Sequence, residues 1–144
     1  MRLDTIDAQI ANKLLRASSS QQRAASLLAS ELAIKATHIQ DSLVLDALEI
    51  LRKEGRLSFE IRNDLNKLVE RFDEEYFDLQ NKVDSDGDAN ADCLRVFSQA
   101  RAVSALSFAG VEESYEAAAE SIYEASACFD DSNYIFDAVT NILN

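Results

Sequence analysis

The chain contains no proline, and its three glycines stand at Gly55, Gly87 and Gly110. Proline is the strongest helix breaker, and glycine is the usual residue just past a helix C-terminus. With so few breaks in 144 residues, the chain is expected to be all-α. The predicted architecture is a compact antiparallel bundle of about six to seven helices joined by tight turns. Residues 1–144 read as a single domain. Hydrophobic residues make up 47% and charged residues 28%, a balance that supports a folded core and excludes a disordered chain.

Local signals divide the chain. Leu3, Ile6, Ile10 and Leu14 have helical spacing, which predicts a first helix from Asp4 or Thr5 to about Arg16. Ser18 with Gln21, or Ser19 with Gln22, offers a capping box for a second helix, with Ala25, Leu28, Leu32 and Ala36 inward. Asp41 caps a third helix carrying Val44, Leu48 and Leu51, and Gly55 ends it. Ser58 caps the longest helix, about residues 59–82. Its seam is Ile61, Leu65, Leu68, Phe72, Tyr76, Leu79 and Val83. Residues 84–91, DSDGDANA, read as a loop. A helix over about 91–108 closes at Gly110, another spans 112–129, and Asp131 or Ser132 caps the last. Alanines near Ala100 and Ala118–Ala119 predict close approach of the late helices.

Charge is unevenly distributed. Residues 1–69 carry a net of +1, residues 70–101 a net of −5, and residues 102–144 a net of −8 with no Lys or Arg after Arg101. Charge of one sign gathered on one side creates a field that steers or rejects partners. With a total of −12, nucleic-acid binding is disfavoured, because phosphate contacts need Lys/Arg density. No apolar run approaches the roughly 20 residues that span a bilayer. MRLDTIDAQI has no apolar signal region, so no membrane association and a cytoplasmic location are expected. Cys93 and Cys128, without C-x-x-C spacing, read as reduced core residues.

A helical wheel on 112–129, centred on Ile122, places Tyr115, Ala118, Ala119, Ala125, Ser126 and Phe129 inward. It places Glu113, Glu116, Glu120 and Glu124 on the opposite side, an uncompensated stripe facing water. The same wheel on 59–82, centred on Phe72, puts Glu70, Glu74 and Phe77 outward, with Asp73 at the flank. An exposed aromatic among carboxylates is the pattern of a binding hot spot. Tyr123 is a second candidate anchor. The alternative for Phe77 is burial under a neighbouring helix or in a dimer seam.

Catalytic signals are sparse. His38 is the one histidine, it lies between predicted helices, and it reads as a solvated turn residue or cap. No phosphate-cradling glycine loop is present. Asp84-Ser85-Asp86-Gly87-Asp88 imitates a calcium loop but puts Ala89 and Arg95 where glycine and glutamate are required. Glu70-x-x-Asp73 and Glu113-x-x-Glu116 resemble the magnesium-binding pairs of all-helical nucleotide pyrophosphohydrolases of the MazG type. Those sites need converging ligands and cationic groups for phosphate. No cofactor and no resident metal are expected.

LNKLVERFDEEYFDLQ (65–80), SQARAVSALSFAG (98–110) and EAAAESIYEASA (116–127) together resemble small all-helical bacterial proteins. These include immunity proteins of polymorphic-toxin and contact-dependent-inhibition systems. The resemblance implies a non-enzymatic protein that binds a cognate toxin, frequently a basic nuclease. The leading expectation is therefore an acidic module that docks a basic protein through Glu70, Asp73, Glu74, Glu113, Glu116, Glu120 and Glu124, with Phe77 and Tyr123 as anchors. The alternatives are a magnesium-dependent nucleotide hydrolase and a structural or regulatory homodimer.

Overall fold

The computed structural model describes residues 2–86, 91–112 and 114–144. Among the described residues there are eight α-helices and no strand. They are α1 (Arg2–Ile6), α2 (Ala8–Arg16), α3 (Ser19–Ala36), α4 (Ser42–Glu54), α5 (Phe59–Asp86), α6 (Ala91–Ala109), α7 (Tyr115–Ser126) and α8 (Asn133–Leu143). The all-α class holds. The helix number exceeds the expectation because the first predicted helix is two. Asp7 turns to extended backbone (φ −147°, ψ 91°), and its side chain accepts a hydrogen bond from the Ile10 N–H. A local cap there outweighs continuation of the helix.

The other starts follow the cap residues. Ser18 and Gln21 form a reciprocal capping box at α3. Asp41 accepts from the Leu43 N–H at 2.9 Å, and Ser58 from the Ile61 N–H at 3.2 Å. Gly55 ends α4 in the left-handed region at φ 76°, where a side chain would be strained. Two boundaries differ from expectation, and at α8 one of the two expected caps acts. Helix α5 runs on through Asp86, so 84–86 are helical rather than loop, and residues 87–90 lie outside the described set. Helix α7 starts only after Ser114, whose hydroxyl accepts from the Ala117 N–H at 3.1 Å. At α8, Asp131 rather than Ser132 makes the side-chain bond, accepting from the Asn133 N–H at 3.0 Å.

Helices α3, α6 and α7 pack mutually and form the centre. Many of their buried residues are small: Ala25, Ala29 and Ala33 of α3, Ala102 and Ala105 of α6, and Ala119 and Ala125 of α7 are all fully buried. Small side chains let the helix axes approach closely. Two buried hydroxyls sit at this junction. Ser30 donates to Ser26 O at 2.8 Å, Ser121 donates to Ala105 O at 2.8 Å, and the two oxygens lie 3.2 Å apart. Because α3 touches α6, α7 and α8, its buried set is Ala25, Ser26, Ala29, Ser30, Ala33 and Ile34. The predicted stripe of Leu28, Leu32 and Ala36 is a correction: the leucines are half-buried and Ala36 is exposed.

Helix α5 stands at the edge. It packs against α6 and, more lightly, α4, burying Leu65 and Leu68 with Ile61 and Phe72 partly covered. The α4–α5 connection is tied to the α6–α7 turn, where the Leu57 N–H donates to Gly110 O at 2.9 Å. A Cβ on Gly110 would lie 2.7 Å from the Leu57 side chain, so any larger residue would force this junction to shift. No helix of the described residues is long and apolar enough to cross a membrane.

Candidate functional site

The carboxylates of α7 do not form a free stripe. Glu124 is 2% exposed and is held from two sides. Arg2 Nη2 donates to Glu124 Oε1 at 2.6 Å, and Arg101 Nη1 donates to Glu124 Oε2 at 3.0 Å. Arg2 Nε also donates to Glu120 Oε2 at 2.9 Å. Arg101 Nη2 continues the chain to Asp73, donating to both its oxygens at 3.1 and 3.2 Å. One ion-pair network therefore links α1, α5, α6 and α7. Burial opposes the charge on Arg2, but the bonds to Glu120 and Glu124 outweigh it and hold its guanidinium above the ordinary arginine value.

The physical reason is that α7 has no solvent side at its C-terminal end. It packs against α3, α6, α8, α1 and α2. A one-faced wheel assigns Glu120 and Glu124 to water, whereas α1 covers that sector and supplies Arg2. Tyr123 is likewise no free anchor: the Arg2 guanidinium sits 4.2 Å from its ring centroid. Of the predicted α7 set, only Glu116 is exposed; Glu113 lies outside the described residues. Glu112, just before the helix, accepts from Arg56 at 3.0 Å.

The expectations for α5 divide differently. Asp73 is engaged by Arg101, so it belongs to the network and not to a docking face. Glu70, Glu74 and Phe77 are exposed, with Phe77 at 60%. Phe77 packs edge-on against Tyr76 at 5.5 Å, and Tyr76 in turn lies 5.5 Å from Phe97 of α6. That row fixes the ring in place while leaving its outer side open. Glu75 and Asp78 are exposed beside it. Further up the helix the balance is mixed: a groove of about 420 Å³ between α4 and α5 is lined by Leu43, Asp64, Lys67, Glu70, Arg71 and Glu74. The acid-rich sector is thus the half of α5 from Glu74 onward.

Two groups of residues escaped the sequence reading. Arg2 and Arg101 were counted as charges and not placed. Tyr134, 56% exposed on α8, stacks on Phe129 at 4.9 Å between exposed Asp131 and Asp137. Their spacing of three on each side was the available signal. It repeats, on a smaller scale, the aromatic-with-acids pattern of Phe77.

Burial, with help from the Glu124 charge, pushes the Cys128 thiol up to about 12, which keeps it protonated and unreactive near neutrality. Cys93 and Cys128 are not joined in a disulfide. His38 is exposed in a left-handed turn at φ 56°. The Glu70/Asp73 pair does not present two open oxygens, since Asp73 is bound by Arg101. Among the described residues no group of three or more His, Cys, Asp or Glu side chains could hold a metal ion. No family model, curated protein or solved structure matches the chain.

Proposed function

We infer that this chain is a non-enzymatic protein-binding module that docks a basic protein on the outer face of α5. The observation that carries this reading is Phe77: a large aromatic side chain, 60% exposed, pinned by Tyr76 and bordered by exposed Glu74, Glu75 and Asp78. A rigid aromatic is a low-entropy anchor, and surrounding carboxylates select a cationic counterpart. The residues assigned to contact are Glu70, Glu74, Phe77 and Asp78. Glu120, Tyr123, Glu124 and Asp73 are withdrawn from that role, because internal arginines occupy them. The net charge of −12 accelerates encounter with a positive partner at long range. The resemblance to immunity proteins adds a specific form of this reading, in which the basic partner is a toxin and docking blocks it by occlusion.

The test is capture from the native host with the immobilised chain. A protein of high isoelectric point should bind at low salt and be released as salt rises from about 50 to about 500 mM. Binding should be lost with Phe77→Ala or Glu74→Lys and kept with Asp46→Lys, an exposed change on α4. Capture that ignores salt, or that survives both α5 substitutions, overturns the reading.

A further inference from the structure

The outer stripe of α5 has an internal symmetry. Phe59, 75% exposed, and Phe77, 60% exposed, are 18 residues apart, about five turns and about 27 Å along a helix at 3.6 residues per turn. They therefore lie on one line of the surface. Between them the same line carries Asn63, Asn66, Glu70 and Glu74, with Lys67 at its edge, and all are exposed. Leu68 is the midpoint, nine residues from each phenylalanine.

We propose that the outer face of α5 also pairs with a second copy of this chain, antiparallel, about a two-fold axis beside position 68. The register follows from the sequence. Phe59 meets Phe77 of the second copy, Asn63 meets Glu74, and Asn66 and Lys67 meet Glu70. Glu70 and Glu74 then each face an amide or ammonium donor, and each exposed aromatic faces an aromatic. The Arg62 guanidinium, 6.0 Å from the Phe59 ring centroid, supports that ring as Tyr76 supports Phe77. A parallel arrangement would instead set Glu70 and Glu74 against themselves, which like-charge repulsion opposes. The stripe, about 27 Å by about 10 Å, is well short of the roughly 800 Å² per partner of a standard interface. The dimer is therefore weak and reversible, and the copies mask each other's docking face until a basic partner displaces one.

This shares with the proposed function the reading of α5 as a docking face, but its test needs only the purified chain. Sedimentation of the unmodified protein from about 10 μM to about 1 mM should show monomer giving way to dimer. Because each copy carries −12, raising salt should strengthen this dimer, the opposite of its effect on a basic partner. Phe77→Ala should weaken it by about tenfold or more. In a glutathione redox buffer, a mixture of Asn63→Cys and Glu74→Cys chains should form the mixed disulfide in clear excess over either variant alone. These variants keep both phenylalanines and change only exposed positions. Monomer throughout the concentration range, or cross-links of each variant mainly to itself, overturns the proposal and leaves the basic-partner reading standing.

Discussion

Arg101, the last cation in the chain, donates to Glu124 at 3.0 Å, and Glu124 is the most deeply buried acid among the described residues. The pair joins α6 to α7 at a point where Arg2 closes the other side of the carboxylate. A buried carboxylate is tolerated when it is both paired and hydrogen-bonded. Removing it takes one carboxylate from each of two guanidinium groups, leaving Arg2 on Glu120 and Arg101 on Asp73. Glu124→Ala is therefore expected to cost about 2–4 kcal/mol, below the usual range for breaking a buried pair because Arg2 is partly solvated. Glu116→Ala, an exposed change on the same helix, should stay within about 0.5 kcal/mol. Urea unfolding of both variants checks this, and equal losses would show that the α7 glutamates are equivalent.

The same pair shows where sequence reasoning stops. Caps and stops were legible because they depend on neighbours within four residues: Ser18 with Gln21, Asp41, Gly55 and Ser58 all act as read. The seam of α5 was legible because that helix has one covered face, and Leu65 and Leu68 fall on it. A wheel assumes one covered face per helix. That assumption fails for α3 and α7, which are surrounded, so Leu28 was placed too deep and Glu124 too shallow. Nothing local tells Glu124 that Arg2 and Arg101, far away in sequence, will converge on it. The same wheel placed Phe77 outward, with burial under a neighbour as the alternative, and Phe77 is exposed.

The two sides of α5 should separate cleanly in stability. Leu65 is fully buried, and Leu65→Ala is expected to lose about 2–5 kcal/mol through lost transfer and a residual cavity. Phe59→Ala and Phe77→Ala remove larger side chains yet should change stability by less than about 0.5 kcal/mol, since water already surrounds most of each ring. Chemical denaturation at low micromolar protein, where self-association is absent, is the measurement. A loss above about 1 kcal/mol at Phe77 would place it in the core.

Gly110 offers a steric prediction. A methyl group there would press on Leu57 at 2.7 Å, while Leu57 is itself held by its N–H bond to Gly110 O. Neither side can retreat without loosening the junction of the α4–α5 connection with α6. Gly110→Ala should cost about 1–3 kcal/mol by overpacking. Combined with Leu57→Ala, which removes the Cγ and Cδ1 contacts but keeps the Cβ at 2.7 Å, the loss should fall short of the sum of the single losses by only part of the overpacking cost. A double-mutant cycle in urea reads this coupling, and strict additivity would show that the two residues do not contend for the same space.

Cys128 gives a prediction in pH. Its thiol donates to Ser98 O at 3.2 Å, and burial raises its folded value from 9.0 to about 12. A raised acid binds its proton more tightly when folded. The resulting stability is complete below the unfolded value and is lost as pH climbs from about 9 towards about 12. Across that window, unfolding should become easier by up to about 1.4 kcal/mol for each pH unit. Other groups titrate there too, so the difference between the native chain and Cys128→Ala isolates the thiol: the native chain should fall more steeply above pH 9. Alkylation by iodoacetamide near pH 8 should be slow in the folded protein and rapid in urea. Fast labelling of Cys128 without denaturant would mean that its surroundings do not hold the thiol protonated.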